Sequence, residues 1–308
     1  TWESFKLTYD QTFIDKKTKY VDIRRPDGIP DLLQQIEHGT LQLVAQQKNV
    51  GHAVRGIIVG NLHQYHHLGD ASTITDNLPY NPSLKPYEKD EHSSGTMDDR
   101  WVFTIRMPWL NYFSAASLAA AYRALKDYNK ELADEALKYA IKAWQFEQSD
   151  SLNKFQRQDE FFRQNTDLLA ALELYKSTGD TAYKNYFMKK LWKSLNDTTI
   201  VWNMSVAARA LQSMDIDYKN KLMPYVEKYK RTLEALDRAN PYGVPMETRG
   251  WGANHNIINW ATTNYFLYKS YPELIDREYV LKGLNYIFGC HPYSNISFVS
   301  GVGVHSKK

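Results

Sequence analysis

At 308 residues, with 43% hydrophobic and 24% charged side chains, the chain has ordinary globular composition and room for one large domain or two small ones. Its 38 basic and 35 acidic side chains are interspersed and leave a formal net charge of +3, which gives nucleic-acid binding no electrostatic support. A single cysteine, Cys290, excludes an internal disulfide and a cysteine-based zinc site. No run approaches the roughly 18 apolar residues of a membrane helix.

The first residues, Thr1 to Phe13, read as the inside of an amphipathic helix, and no signal-peptide pattern precedes them. A second helix is predicted from Ile29, with Pro30 in its first turn and an apolar 3-4 repeat running to Val44. From Asn49 to Met107 the periodicity fades over about sixty residues, too many for a plain connector. Aromatic and apolar residues inside this stretch argue against disorder, so it reads as an ordered excursion carrying part of a site.

Four helical hairpins follow. Asn111 to Lys126 pairs with Lys130 to Phe146, and Thr166 to Thr178 pairs with Thr181 to Leu195 around Gly179-Asp180. Val201 to Met214 pairs with Tyr218 to Leu236, and Asn254 to Tyr271 pairs with Arg277 to Phe288 across Pro272. The total is about ten helices, arranged either as a solenoid or as a closed double ring. Uneven spacing between hairpins disfavours a regular repeat array. The class is therefore all-α, a toroid of helical hairpins over residues 1–308.

Two loops rich in Gly, Pro and aromatics flank the last hairpin, Asn240 to His255 and Tyr286 to Gly303. Loops of this kind hold flat rings at the mouth of a helical scaffold, which is what a sugar-binding cleft needs. The final residues, His305 to Lys308, stop without closing an element. Both ends read as cut, so a fragment of a longer polypeptide is expected.

Five stretches, in order, resemble glycoside hydrolase family 9, the inverting cellulases and related β-glucan hydrolases. They are Asp27-Gly-Ile-Pro-Asp-Leu-Leu33, Tyr65-His-His-Leu-Gly-Asp70, Leu174-Tyr-Lys-Ser-Thr-Gly-Asp180, Gly250-Trp-Gly-Ala-Asn254, and Tyr286-Ile-Phe-Gly-Cys-His-Pro292 with Ser297-Phe-Val-Ser-Gly-Val-Gly303. Each is weak alone; together they span nearly the whole chain. The resemblance implies an (α/α)6 barrel, here incomplete, with long irregular loops on the cleft face. It also implies a secreted, periplasmic or cell-surface bacterial enzyme acting on an oligo- or polysaccharide. Two departures stand out. The family's Asp-Ala-Gly-Asp motif, which carries the catalytic base, is not found here. Its catalytic Glu lies beyond the Ser-Phe-Val segment, where the chain ends. By resemblance both catalytic carboxylates fall outside this chain, and the catalytic residues are left unassigned.

Inverting hydrolysis needs two carboxyl groups roughly 6.5–9.5 Å apart, one protonating the leaving oxygen and one deprotonating the attacking water. Candidates within the chain are Asp70, Asp76, Asp98, Asp99, Asp159, Glu160 and Glu247, all equally at home as loop carboxylates or helix caps. Substrate-binding candidates are better defined. Trp251 lies between two glycines and, by resemblance, forms a subsite platform; its rival role is a core Trp at a helix end. Asn254 is a plausible N-cap, and His255 stands where the family often carries Arg. Arg106 has the fork geometry to orient a carboxylate or a sugar, or simply to pin the loop. His66, with His67 and Asp70, lines the cleft or forms a hydrogen-bonded loop; a metal site there lacks a third ligand. Tyr293 is a candidate ring at the cleft edge. No cofactor is expected. Calcium enters only through the resemblance, and no acidic oxygen cage is legible. Two rival functions stay open: a non-catalytic carbohydrate-binding relative, and a helical-repeat interaction scaffold.

Overall fold

The computed structural model describes residues 7–18, 20–59, 76–149, 165–196, 200–246, 253–290, 296–299, 302 and 305–306. Two units are distinguished, Thr1–Glu160 and Phe161–Lys308.

In the first unit the helix expected over residues 1–13 is not formed in its described part. Leu7 to Thr12 is irregular, and Phe13–Ile14 (β1) pairs antiparallel with Val21–Asp22 (β2). The reason is local. The Asp31 carboxylate accepts hydrogen bonds from the backbone amides of Gln11 and Thr12, both at 3.0 Å, and from Thr12 Oγ1 at 3.1 Å. These bonds satisfy backbone donors in an extended strap, so the apolar spacing there does not become a helix. Residues 1–6 lie outside the described residues.

Helix α1 spans Asp31–Asn49 and starts after Pro30, which has no amide to leave unsatisfied. Its buried residues include Leu33, Glu37, Thr40, Val44 and Gln47, one helical stripe that mixes apolar and polar side chains. Strand β3 (Ile57–Val59) pairs antiparallel with β4 (Arg100–Val102), Ile58 opposite Trp101. Helix α2 (Pro108–Leu125) begins with its proline, and α3 (Lys130–Gln148) follows. Asn129 Oδ1 caps α3 by accepting from the Leu132 amide at 3.2 Å. The buried faces of α2 and α3 are rich in alanine: Ala115, Ala116 and Ala119 on one, Ala133, Ala136 and Ala140 on the other. Small side chains allow the two backbones to approach closely.

In the second unit α4 (Thr166–Thr178) turns into α5 (Thr181–Leu195) with the boundaries read from the sequence. Gly179 closes α4 at φ 72°, a conformation costly for any side chain, and Asp180 caps α5 by accepting from the Ala182 amide at 2.8 Å. Helices α6 (Ile200–Ala210), α7 (Ile216–Ala239), α8 (Ala253–Ser270) and α9 (Glu278–Phe288) complete it, with the short parallel pair β5 (Ile296–Ser297) and β6 (His305–Ser306). Its core holds Leu168, Leu172, Phe187, Leu191, Tyr218 and Leu222, all essentially fully buried.

Candidate functional site

Polar residues gather in two places, one in each unit. In the second unit hydrogen bonds tie the start of α4 to α6, and α6 to α8. Asn165, just before α4, adopts a left-handed backbone (φ 43°) and donates through Nδ2 to Asn203 Oδ1 at 2.8 Å. Such a conformation is uncommon outside glycine, though Asn tolerates it best. Asn203, in the first turn of α6, is fully buried and donates to the Ser194 carbonyl at 2.9 Å. Ser205 Oγ donates to Asn259 Oδ1 on α8 at 3.3 Å. On the first turn of α8, Asn254 is half-buried and His255 exposed. Asn254 is the second residue of the helix, not its N-cap. Trp251 and Tyr293 lie outside the described residues, as do His66, Asp70, Asp159, Glu160 and Glu247.

In the first unit Arg106 is committed to a protein partner. Its Nε donates to Glu147 Oε1 at 3.0 Å and its Nη2 to Oε2 at 2.5 Å, and its guanidinium also lies over the Phe146 ring at 4.8 Å. Asn111 Nδ2 donates to the same Glu147 Oε1 at 2.9 Å. Gln47 Nε2 donates to Asn111 Oδ1 at 2.8 Å, and the Ala53 amide to that oxygen at 3.2 Å. One network thus joins the ends of α1 and α3, the start of α2 and the loop after α1. It fastens the excursion at both of its ends.

The described carboxylate candidates shape that excursion. Asp98 Oδ2 accepts the Asp76 amide at 2.5 Å, Asp99 Oδ2 the Tyr80 amide at 2.7 Å, and Asp76 Oδ1 the Leu78 amide at 3.0 Å. The Leu78 amide, first among several donors, holds the Asp76 carboxyl below the usual range. Asp98 is buried, and its Oδ1 has no hydrogen-bond partner among the described residues. A groove of about 340 Å³ between α1 and α2, lined by Leu32, Ile36, Leu43, Ala120, Ala121 and Ala124 among others, carries no ionisable side chain. It suits packing, not proton transfer. Among the described residues no three His, Cys, Asp or Glu side chains converge as ion ligands.

Glu147, Asn111 and Gln47 are absent from the sequence-derived site, as are Asn165 and Asn203. A signal for Glu147 exists: it continues the buried stripe Ala136, Ala140, Ala143 and Trp144 of α3. A charge on an apolar face needs a partner, and the partner is Arg106.

The family model for glycosyl hydrolase family 9 matches residues 27–308. The chain belongs to that family. Among solved structures, a metagenome-derived family 9 endoglucanase is similar at 20% identity and TM-score 0.59, covering 91% of this chain and 49% of that one. A termite endoglucanase from Nasutitermes takasagoensis is 16% identical with TM-score 0.59, covering 91% and 62%. A mutant thermostable endoglucanase from Alicyclobacillus acidocaldarius is 16% identical with TM-score 0.60, covering 90% and 51%. The likeness is one of fold, the all-α (α/α)6 class of helical hairpins. The family 9 chain spans 49% to 62% of the length of these three structures. No curated protein sequence matches it.

Proposed function

We propose that the protein serves in hydrolysis of β-glycosidic bonds in a glucan or related polysaccharide, by an inverting acid/base mechanism. The observation carrying this reading is the family 9 match over residues 27–308, which runs across both units and supports treating them as one catalytic domain. The general acid and base are supplied by polypeptide flanking these residues, and the parent protein acts outside the cytoplasm. This agrees with the engagement of Asp76, Asp98 and Asp99 by backbone amides. A positioned acid or base contributes about 10²–10⁴ each, so the 308 residues alone are inactive or nearly so. The role of this chain is then to bind and orient sugar, through Trp251, Asn254, His255, His66 and Tyr293. Arg106 pins the excursion through Glu147.

The same use of Asp76, Asp98 and Asp99 favours a second reading, a carbohydrate-binding relative without its own acid and base. One experiment separates the two. The chain and a longer polypeptide carrying both flanks are incubated with β-glucans, xyloglucan and chitosan, and new reducing ends are followed by NMR. Hydrolysis by the longer protein alone, with inverted anomeric configuration, is expected. Saccharide binding without hydrolysis by either would establish the second reading, and retained configuration would overturn inversion.

A further inference from the structure

We propose that the β3–β4 ribbon carries a saccharide-binding platform of its own, built by Trp101 and Phe103 on one face; the inference rests on the glycoside hydrolase reading. Ile58 lies opposite Trp101 and Ile57 opposite Val102, and the Phe103 amide donates to the Gly56 carbonyl at 3.1 Å. Strand alternation therefore sends Trp101, Phe103 and Ile58 to one face, and Val102 and Ile57 to the other. Two strand steps separate the aromatic pair, roughly 7 Å at Cα.

Both faces are open to solvent. Trp101 is 67% exposed and Phe103 46%. Gly56 presents no side chain beneath Phe103; a Cβ there would meet the ring edge at 3.6 Å. The result is a low floor with two exposed aromatic side chains. The opposite face carries Ile57 and Val102, nearly as exposed, with Arg100 beside them and no aromatic ring. This asymmetry selects the ligand chemistry. A general apolar partner gains from either face alike, whereas the C–H face of a pyranose gains most from an aromatic quadrupole. The excursion bearing the ribbon is held by the buried Arg106–Glu147 pair, so a ligand there binds a braced surface.

The test uses the 308-residue chain with Trp101→Ala, Phe103→Ala, Trp101→Phe and Val102→Ala. All three positions are exposed, and circular dichroism checks that each variant folds. Mobility is measured in native gels containing soluble mixed-linkage β-glucan or xyloglucan, with sedimentation velocity alongside. Trp101→Ala should weaken retention about tenfold, Phe103→Ala by a smaller factor, and Trp101→Phe should keep most of it. Val102→Ala should leave it unchanged. Retention by wild type that Trp101→Ala does not alter overturns the platform and leaves the hydrolase reading standing. Equal loss in Trp101→Ala and Val102→Ala, or self-association abolished by either, also overturns it, because the ribbon is then a docking surface for protein. If the wild-type chain binds neither polymer, the platform is wrong; if the longer protein also hydrolyses none, the hydrolase reading falls with it.

Discussion

Arg106 and Glu147 close a two-point ion pair, Nε to Oε1 at 3.0 Å and Nη2 to Oε2 at 2.5 Å, with the Glu147 side chain wholly buried and that of Arg106 13% exposed. The pair joins the end of the excursion to the last turn of α3. Removing one member leaves the other a buried charge without its two-point partner. Glu147→Ala should therefore lower unfolding free energy by about 3–5 kcal/mol. Arg106→Lys keeps the charge but loses the fork, and should cost less. Urea unfolding followed by circular dichroism measures both; a loss below about 1 kcal/mol for Glu147→Ala would show that the pair contributes nothing beyond a surface bridge.

The sequence made much of the framework legible. Helices α4 and α5 match their predicted limits because Gly179 and Asp180 encode the turn between them directly. The first strap escapes helical periodicity because its apolar spacing is helical while its backbone donors go to Asp31, a long-range choice no local period reports. The fork of Arg106 is legible, but its target sits 41 residues away on α3. Polar members of buried stripes, Gln47 on α1 and Glu147 on α3, are the legible signal of the internal network. Among the substrate-binding candidates, only Arg106, Asn254 and His255 fall in described residues, and their ligand contacts depend on chemistry that helical periodicity does not encode.

Glu37 predicts how stability responds to acid. Burial pushes its carboxyl up, but hydrogen bonds from Lys16 Nζ at 2.7 Å and Asn129 Nδ2 at 2.7 Å outweigh that and hold it below the ordinary value. A depressed carboxyl contributes stability above its unfolded value near about pH 4.3, and this is lost as pH falls through the lower folded value. Lys16 is raised by the same bond, so its share persists below about pH 10.4 and fades as pH rises through the folded value. Glu37→Gln should lower the melting temperature at neutral pH and flatten the acid limb. Parallel acid limbs in variant and wild type would count against this assignment.

Tyr271 governs part of the alkaline limb. Its Oη donates to the Lys219 carbonyl at 2.8 Å, and burial, with a smaller effect from Glu273, pushes its ionisation up to about 12. A raised phenol contributes stability in full below its unfolded value of about 10, and loses it as pH climbs through the folded value. Burial also raises Tyr218 and Tyr229. Phenolate absorbance should thus show a late-titrating class among the 22 tyrosines. Tyr271→Phe should remove one member of that class and cost about 1 kcal/mol at neutral pH. An unchanged late class would place Tyr271 in contact with solvent.

Gly283 sets two opposing effects against each other. It lies inside α9, where glycine is about 1 kcal/mol worse than alanine on propensity alone. A Cβ at this position, however, would stand 2.7 Å from the Ala261 Cβ on α8, and 3.5 Å from both the Ile257 carbonyl oxygen and Trp260 Cε3. Neither the alanine methyl nor the backbone can rotate aside, so the helices must separate. Overpacking of this kind costs about 1–3 kcal/mol, enough to reverse the propensity gain. Gly283→Ala should therefore destabilise the chain, and adding Ala261→Gly should recover the part due to the methyl–methyl clash. Because α8 also carries Asn254 and His255 on its first turn, saccharide retention should weaken in the single variant and return in the double. A stabilised Gly283→Ala would mean that α9 shifts freely on α8, and that the glycine is not what sets their approach.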